Sequence, residues 1–397
     1  MNDNRTSRGI AGQEDEKTFT HLENPEGGGY HSSTPSTLSL IEGPASSTPT
    51  SQTPDAQPVA QEHQFVGVGP EQAELQGVGD SDSAYDSESL IGDDTETLAS
   101  YITDYRYEHG RRYHAYKDGA YWGPNDEHAN EIVDLAHHMY LITLDKKLHL
   151  APIGEPHNVL DLGTGTGIWA IDMADQYPSA QVLGTDLSPI QPEFIPPNCV
   201  FEIDDVTLEW TWPPNYFDFI HLREMFGAIA DWNYLFQQAY RHTKPGGWVE
   251  IVEHSVEPVA VNDSLPPDHF YRLWGRTVVD CGDKLGKSFR IWKEAKGHME
   301  RAGFVDVVEV RYIWPMNGWP SDRALKEIGR FNQLRLHDGV EGFMLRLLTT
   351  ALGWSYERSQ LFLAEMRNNI KDCKTHATYL EGTVVYGRKP QSAEATL

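Results

Sequence analysis

A short apolar run, Asn158-Val-Leu-Asp-Leu162, leads directly into Gly163-Thr-Gly-Thr-Gly167, and a helical stretch begins at Ile168. This strand–glycine–helix junction constrains the chain more than any other feature. Glycines at alternate positions let the backbone turn tightly and approach a ligand without Cβ obstruction. The helix that follows opens with unpaired N–H groups and the positive end of its dipole. A dinucleotide fold uses such a junction to grip pyrophosphate, but with GxGxxG spacing. Here the spacing is GxGxG, and Asp161 stands two residues before the first glycine.

Asp161 changes the expected ligand. A carboxylate beside the loop repels pyrophosphate and accepts hydrogen bonds from an ammonium, such as that of a methionine moiety. Asp186 lies 23 residues after Gly163, at the end of a second apolar run, Gln181-Val-Leu-Gly-Thr-Asp186. An acid there accepts ribose hydroxyls. A turn or cap role is its plainer alternative. Asp204-Asp205 follow a third run, Val200–Ile203. Asp205 with the backbone of Val206 suits an adenine edge, and two surface turn acids are the alternative. His221 and Arg223 end a fourth run, Phe217–Leu222, and Glu253-His254 end a fifth, Trp248–Glu253. In open α/β sheets ligands sit beyond the carboxyl ends of strands. His254 is therefore a candidate general base toward an acceptor hydroxyl, with His221 as the neighbouring alternative. With 17 histidines in the chain, a structural role competes for each. His137-His138 sit beside apolar residues without a third ligand at metal spacing and read as structural.

Helical stretches separate these runs: Ile168 to Gln176, Trp232 to Thr243 (stopped by Lys244-Pro-Gly-Gly247), and Ser288 to Ala302. Alternation of this kind predicts βαβ units and a parallel sheet. Two further strands, Phe304–Ile313 and Ala377–Gly387, flank a mostly helical stretch over 320–370. Ahead of the junction, Asn125-Asp126 resembles an N-cap region, and Ile132, Leu135, Ala136, Met139 and Tyr140 recur at helical spacing. One or two helices ending near Leu150 are expected there.

Residues 1–96 are rich in Ser, Thr, Pro, Gly and acids, without apolar periodicity, and are expected to be disordered. The first 100 residues hold 18 acids and three bases, a large part of the net −27. No basic stripe is present, which argues against direct nucleic-acid binding. The three cysteines are far apart and form no CxxC pair, so neither a zinc site nor a disulfide framework is expected. The first residues lack a signal-peptide core, and no run is long and apolar enough for a membrane span. A cytoplasmic or nuclear location is the expectation.

The order of GxGxG, strand-end acid, acidic turn and Lys-Pro-Gly-Gly resembles class I S-adenosylmethionine-dependent methyltransferases, closely over about residues 155–255 and onward through the last two strands. Glu108-His-Gly-Arg-Arg-Tyr-His-Ala-Tyr116, Leu141-Ile-Thr-Leu-Asp-Lys-Lys-Leu-His-Leu-Ala-Pro152 and Phe217-Asp-Phe-Ile-His-Leu-Arg223 are similar to the filamentous-fungal LaeA-like branch. After the first of these, Lys117-Asp-Gly-Ala-Tyr-Trp-Gly-Pro124 is bulkier than that pattern. The resemblance implies S-adenosyl-L-methionine as cofactor. It places Asp161, Gly163, Gly165, Gly167, Asp186, Asp205 and Arg223 at the cofactor site, with Thr164, Leu187 and Val206 beside them. It implies a Rossmann-like seven-stranded doubly wound α/β sheet with an N-terminal helical lid over 97–152. The methyltransferase domain is expected over 153–390, with a helical insertion at about 316–375 and a flexible C-terminus at 391–397. The family supplies no general base. Its members include biosynthetic enzymes, for which a small-molecule acceptor is expected, and regulators that associate with velvet-type proteins. Tyr113, Tyr116, Trp122, Phe226, Trp274, Trp314, Trp319 and Phe331 are the expected aromatic wall of an acceptor pocket, with core packing as the alternative. A nicotinamide dehydrogenase is disfavoured by the glycine spacing and Asp161.

Overall fold

The computed structural model describes residues 104–391 apart from 118, 264 and 373–375. The tail expected over 1–96 and residues 392–397 lie outside these.

The first described elements are a hairpin, β1 (Arg106–Glu108) and β2 (Arg111–Tyr113), and a helix, α1 (Glu127–Thr143). Asp126 caps α1 by accepting from Ala129 N at 3.0 Å. The same carboxylate takes both arms of the Arg111 guanidinium, at 2.6 and 2.8 Å, so one acid fixes the hairpin to the helix. The lid was expected to be built of one or two helices. The hairpin corrects this, because Gly110 and His109, both at positive φ, turn the chain back on itself.

Strands and helices then alternate: β3 (Asn158–Leu162), α2 (Ile168–Gln176), β4 (Gln181–Asp186), β5 (Cys199–Ile203), β6 (Phe217–Arg223), α3 (Trp232–His242) and β7 (Thr243–His254). After a two-residue β8 (Val259–Ala260) come α4 (Phe270–Leu285), α5 (Ile291–Ala302), β9 (Val305–Pro315), α6 (Arg323–Thr350), α7 (Tyr356–Lys371) and β10 (Thr378–Arg388). The strands pair in the order β5-β4-β3-β6-β7-β10, with β9 on β10 beyond. The first five are parallel, and β10 runs antiparallel to both neighbours. Seven main strands agree with the expected sheet. The short β8 is an eighth, paired with the start of β10. The insertion before the last strand is the pair α6 and α7, with α1 packed on α6. α4 had no counterpart in the sequence reading.

Parallel strands covered on both faces must be apolar almost throughout. Val159, Leu160, Leu162, Phe219, Ile220 and Leu222 are accordingly fully buried. Val159 and Phe219 pack with Trp169 and Met173 of α2, while Leu160, Leu162, Ile220 and Leu222 join the larger core on the other face. The chain leaves β3 toward β4 on one side, while β6 lies on the other, so a crevice opens beyond their carboxyl ends. Among the described residues no helix is long and apolar enough to cross a membrane.

Candidate active site

A cavity of about 460 Å³ opens at that crevice, within the usual size of a small-molecule site. The three glycines after β3 contribute to it differently. Gly163, Gly165 and Gly167 all have positive φ, at 66°, 59° and 81°. A Cβ on Gly163 would overlap the Met225 sulfur, and one on Gly167 would overlap the Phe201 ring. On Gly165 it would meet nothing nearer than Val133 Cγ1 at 3.7 Å. Gly163 and Gly165 line the cavity and Gly167 does not. Gly167 stands at the N-cap of α2 and lets Phe201 of β5 pack close.

Backbone and acids interlock around the loop. Thr164 N donates to Thr185 O at 2.8 Å, and Gly165 N to Asp186 Oδ2 at 2.9 Å. The other Asp186 oxygen accepts from Ser188 N at 2.9 Å. Burial pushes the Asp186 carboxyl up to about 6 despite these bonds. Asp161 accepts from Thr164 Oγ1 at 2.6 Å through one oxygen and meets His221 Nδ1 at 2.8 Å through the other. Asp205 is held by Lys117 Nζ at 2.7 Å and by Thr207 N and Oγ1. Burial alone would raise its pKa, but these partners outweigh it and hold it below the ordinary carboxylate value. Leu187 and Val206 complete this wall. Arg223 Nη1 donates to His137 Nδ1 at 3.0 Å, so His137 carries its proton on Nε2 and donates to Asp172 at 2.9 Å. His137 is thus the structural residue expected of it, and it steadies a cation on the cavity wall.

The two candidate bases each meet a protein neighbour through a ring nitrogen, and His254 lines a second, smaller cavity. His221 is buried against Trp169, the rings stacked 3.8 Å apart, and lines neither large cavity. Burial lowers its pKa, and its Nδ1 serves Asp161. His254 donates from Nδ1 to Ser255 O at 2.8 Å, while Arg335 Nη2 lies 3.0 Å from Nε2. A guanidinium only donates, so Nε2 accepts and its lone pair is occupied. Both histidines lie at strand ends, with partners that the sequence does not reveal.

Of the expected aromatic wall, Trp122 and Phe226 line the main cavity, and with Trp274 they line a second one of about 140 Å³ behind it. Tyr113 and Trp314 are core residues, Trp319 donates to Thr378 O, Phe331 packs on His138, and Tyr116 lies beside Lys117. Residues 114, 117 and 120–125 of the bulky segment line the main cavity. The segment is fastened by Lys117 to Asp205, by Lys287 to the Ala120 carbonyl, and by Asn125 to Ser188.

Sequence reasoning missed Glu224 and Arg335. Glu224 follows Arg223 at the end of β6, where position alone was signal enough. Arg335 comes from α6, with no local signal. Glu224 lines both cavities, and burial would raise its pKa. Arg335 and the hydroxyl of Tyr140 pull it well below the ordinary range. Among the described residues no cluster of His, Cys, Asp and Glu is arranged to hold a metal ion.

Residues 135–307 match the family model of a methyltransferase domain. The chain is 38% identical over 310 residues to methyltransferase pytC of Aspergillus terreus, covering 77% of this chain and 94% of that protein. It is 38% identical over 291 residues to the secondary metabolism regulator LAE1 of Cochliobolus heterostrophus, covering 72% and 94%. With the secondary metabolism regulator laeA of Aspergillus niger the identity is 33% over 288 residues, covering 71% and 76%. With identity of this extent across nearly the whole of two such proteins, the chain belongs to the LaeA-like methyltransferases of fungal secondary metabolism.

Proposed function

We propose that this chain binds S-adenosyl-L-methionine in the 460 Å³ cavity and methylates a small, apolar molecule. The observation that carries the reading is the open face of Gly165 next to carboxylates at three strand ends, Asp161, Asp186 and Asp205. A doubly negative pyrophosphate would be repelled there, whereas a cationic ligand with ribose hydroxyls is suited to it. Asp186 would accept the ribose hydroxyls, and the Asp205–Val206 turn would face the adenine. Asp161 would face the ammonium and Arg223 the carboxylate. Once bound, the donor supplies a methyl group already activated on a sulfonium, so the protein's task is alignment and exclusion of water. Tyr121 and Trp122 of the bulky segment line the cavity, and Trp122 and Phe226 offer an apolar acceptor its surface.

Calorimetry on the full chain tests this: S-adenosyl-L-methionine should bind and NAD⁺ should give no heat. Binding of NAD⁺ alone would overturn the reading. The Asp186 carboxyl titrates at about 6, and hydroxyl donors bind its ionised form. Affinity should therefore be constant above pH 7 and weaken by about tenfold at pH 5. Asp186→Asn should bind weakly with a flat profile, and a flat wild-type profile would remove Asp186 from the ribose.

A second reading follows from the relatives named as regulators: methyl transfer inside a nuclear complex with velvet-type proteins. Co-purification with such proteins, without turnover on any apolar acceptor, would favour it.

A further inference from the structure

Glu224 stands where the two cavities meet, in a backbone conformation that a side chain adopts at a cost. Its φ is +53°, and such strain persists only where surroundings enforce it. Here Glu224 N donates to Val252 O at 3.1 Å, and the next residue, Met225, donates its N–H to the Glu253 carboxylate at 2.8 Å. The turn so fixed aims Glu224 between the cavities. Three elements then converge on one of its oxygens. Oε1 accepts from Tyr140 of α1 at 2.7 Å, with Arg335 of α6 at 3.4 Å and His254 of β7 at 3.5 Å. No hydrogen bond from the described residues reaches Oε2, and the side chain keeps a quarter of its surface open. Behind it, the second cavity is walled by Trp122, Phe226, Trp274, Phe343, Val340 and Met316.

We propose that this second cavity holds the acceptor, a flat aromatic molecule bearing a hydroxyl, and that Glu224 Oε2 accepts that hydroxyl's hydrogen bond and then its proton. The proposal rests on the methyl-transfer reading above and names its acceptor class. In the step, an oxygen lone pair of the acceptor forms the new O–CH₃ bond. The S–CH₃ bond breaks, with its electron pair left on sulfur, which becomes a neutral thioether. The hydroxyl proton passes to Glu224. A protonated amine has no lone pair to attack with. His254, its Nε2 engaged by Arg335, does not itself take the proton.

The test compares 2-naphthol with 2-methoxynaphthalene, which has the same rings but no proton to donate, by quenching of tryptophan fluorescence. A charge-assisted hydrogen bond in the wild-type chain should make 2-naphthol bind about tenfold more tightly. Glu224→Gln should reduce the preference to within about threefold. If that variant fails to fold, the wild-type pH dependence decides. Glu224, held ionised, gives the same preference from pH 5 to 8, whereas a histidine partner would make it change near its ordinary pKa of about 6.5. Equal binding of the two probes, an undiminished preference in Glu224→Gln, or a change near that pH would each overturn the proposal. Failure of S-adenosyl-L-methionine to bind would instead sink the methyl-transfer reading, because the naphthol comparison uses no cofactor.

Discussion

Gly165→Val should abolish detectable S-adenosyl-L-methionine binding in a chain that still folds. The native φ of +59° lies in the region that β-branched residues avoid, at a local cost of about 1–3 kcal/mol. The larger consequence is spatial. Nothing lies within 3.7 Å of the position a Cβ would take, so the branched side chain would fill ligand space and not the protein core. Any shift of the loop also disturbs the bond from Gly165 N to Asp186. We expect Kd to rise by more than about 100-fold, as a lost close approach and a displaced hydrogen-bond partner combine. The far-ultraviolet circular dichroism should be unchanged. Gly163→Val and Gly167→Val provide the contrast, since their side chains would overlap Met225 and Phe201 and so lower stability first. Wild-type affinity in Gly165→Val would remove the loop from the binding site.

Arg335→Met should destabilise the folded chain by about 3 kcal/mol at pH 7, the low end for breaking a buried pair, which is roughly 10 °C in Tm. Methionine replaces most of the packing volume but leaves the ionised Glu224 without its guanidinium, with the hydroxyl of Tyr140 still bonded to Oε1. Part of the penalty is relieved because a quarter of the Glu224 side chain remains open. The pH dependence has a definite sign. Glu224 has a folded-state pKa below its unfolded value, so its contribution is present above the unfolded pKa of about 4.5 and disappears as pH falls through the folded value. In the variant the carboxyl protonates more readily, so the deficit against wild type should be largest at pH 7 and shrink toward pH 4. Urea unfolding at the two pH values measures this. Equal stability at pH 7 would show that Arg335 does not hold Glu224.

What was legible in the sequence depended on one-dimensional pattern. Strands β3, β4, β6 and β7 are covered on both faces, so their apolar runs stand out, and their ends could be placed to within a residue or so, apart from the start of β7. Helix α4 was overlooked because its apolar face, with Tyr271, Trp274, Val278 and Cys281 buried, is interleaved with Arg272, Arg276, Asp280 and Asp283. The hairpin β1–β2 has strands of only three residues, too short for alternation to register.

The sequence by itself determined the sheet, the glycine loop and the acids at the strand ends, because strand period and glycine geometry are local and the carboxyl ends of parallel strands must converge. Only the tertiary structure decided what those strand-end side chains are free to do. His221 and His254 lie at the ends of the right strands, yet one is committed to Asp161 and the other to Arg335. Glu224, one residue past β6, keeps an oxygen without a hydrogen bond from the described residues at the junction of two cavities. The partners that make this difference lie 60 and 81 residues away along the chain for the two histidines and on three separate elements for Glu224. A hydrogen bond is directional and saturable, so a proton acceptor's availability depends on which distant donor reaches it first in space.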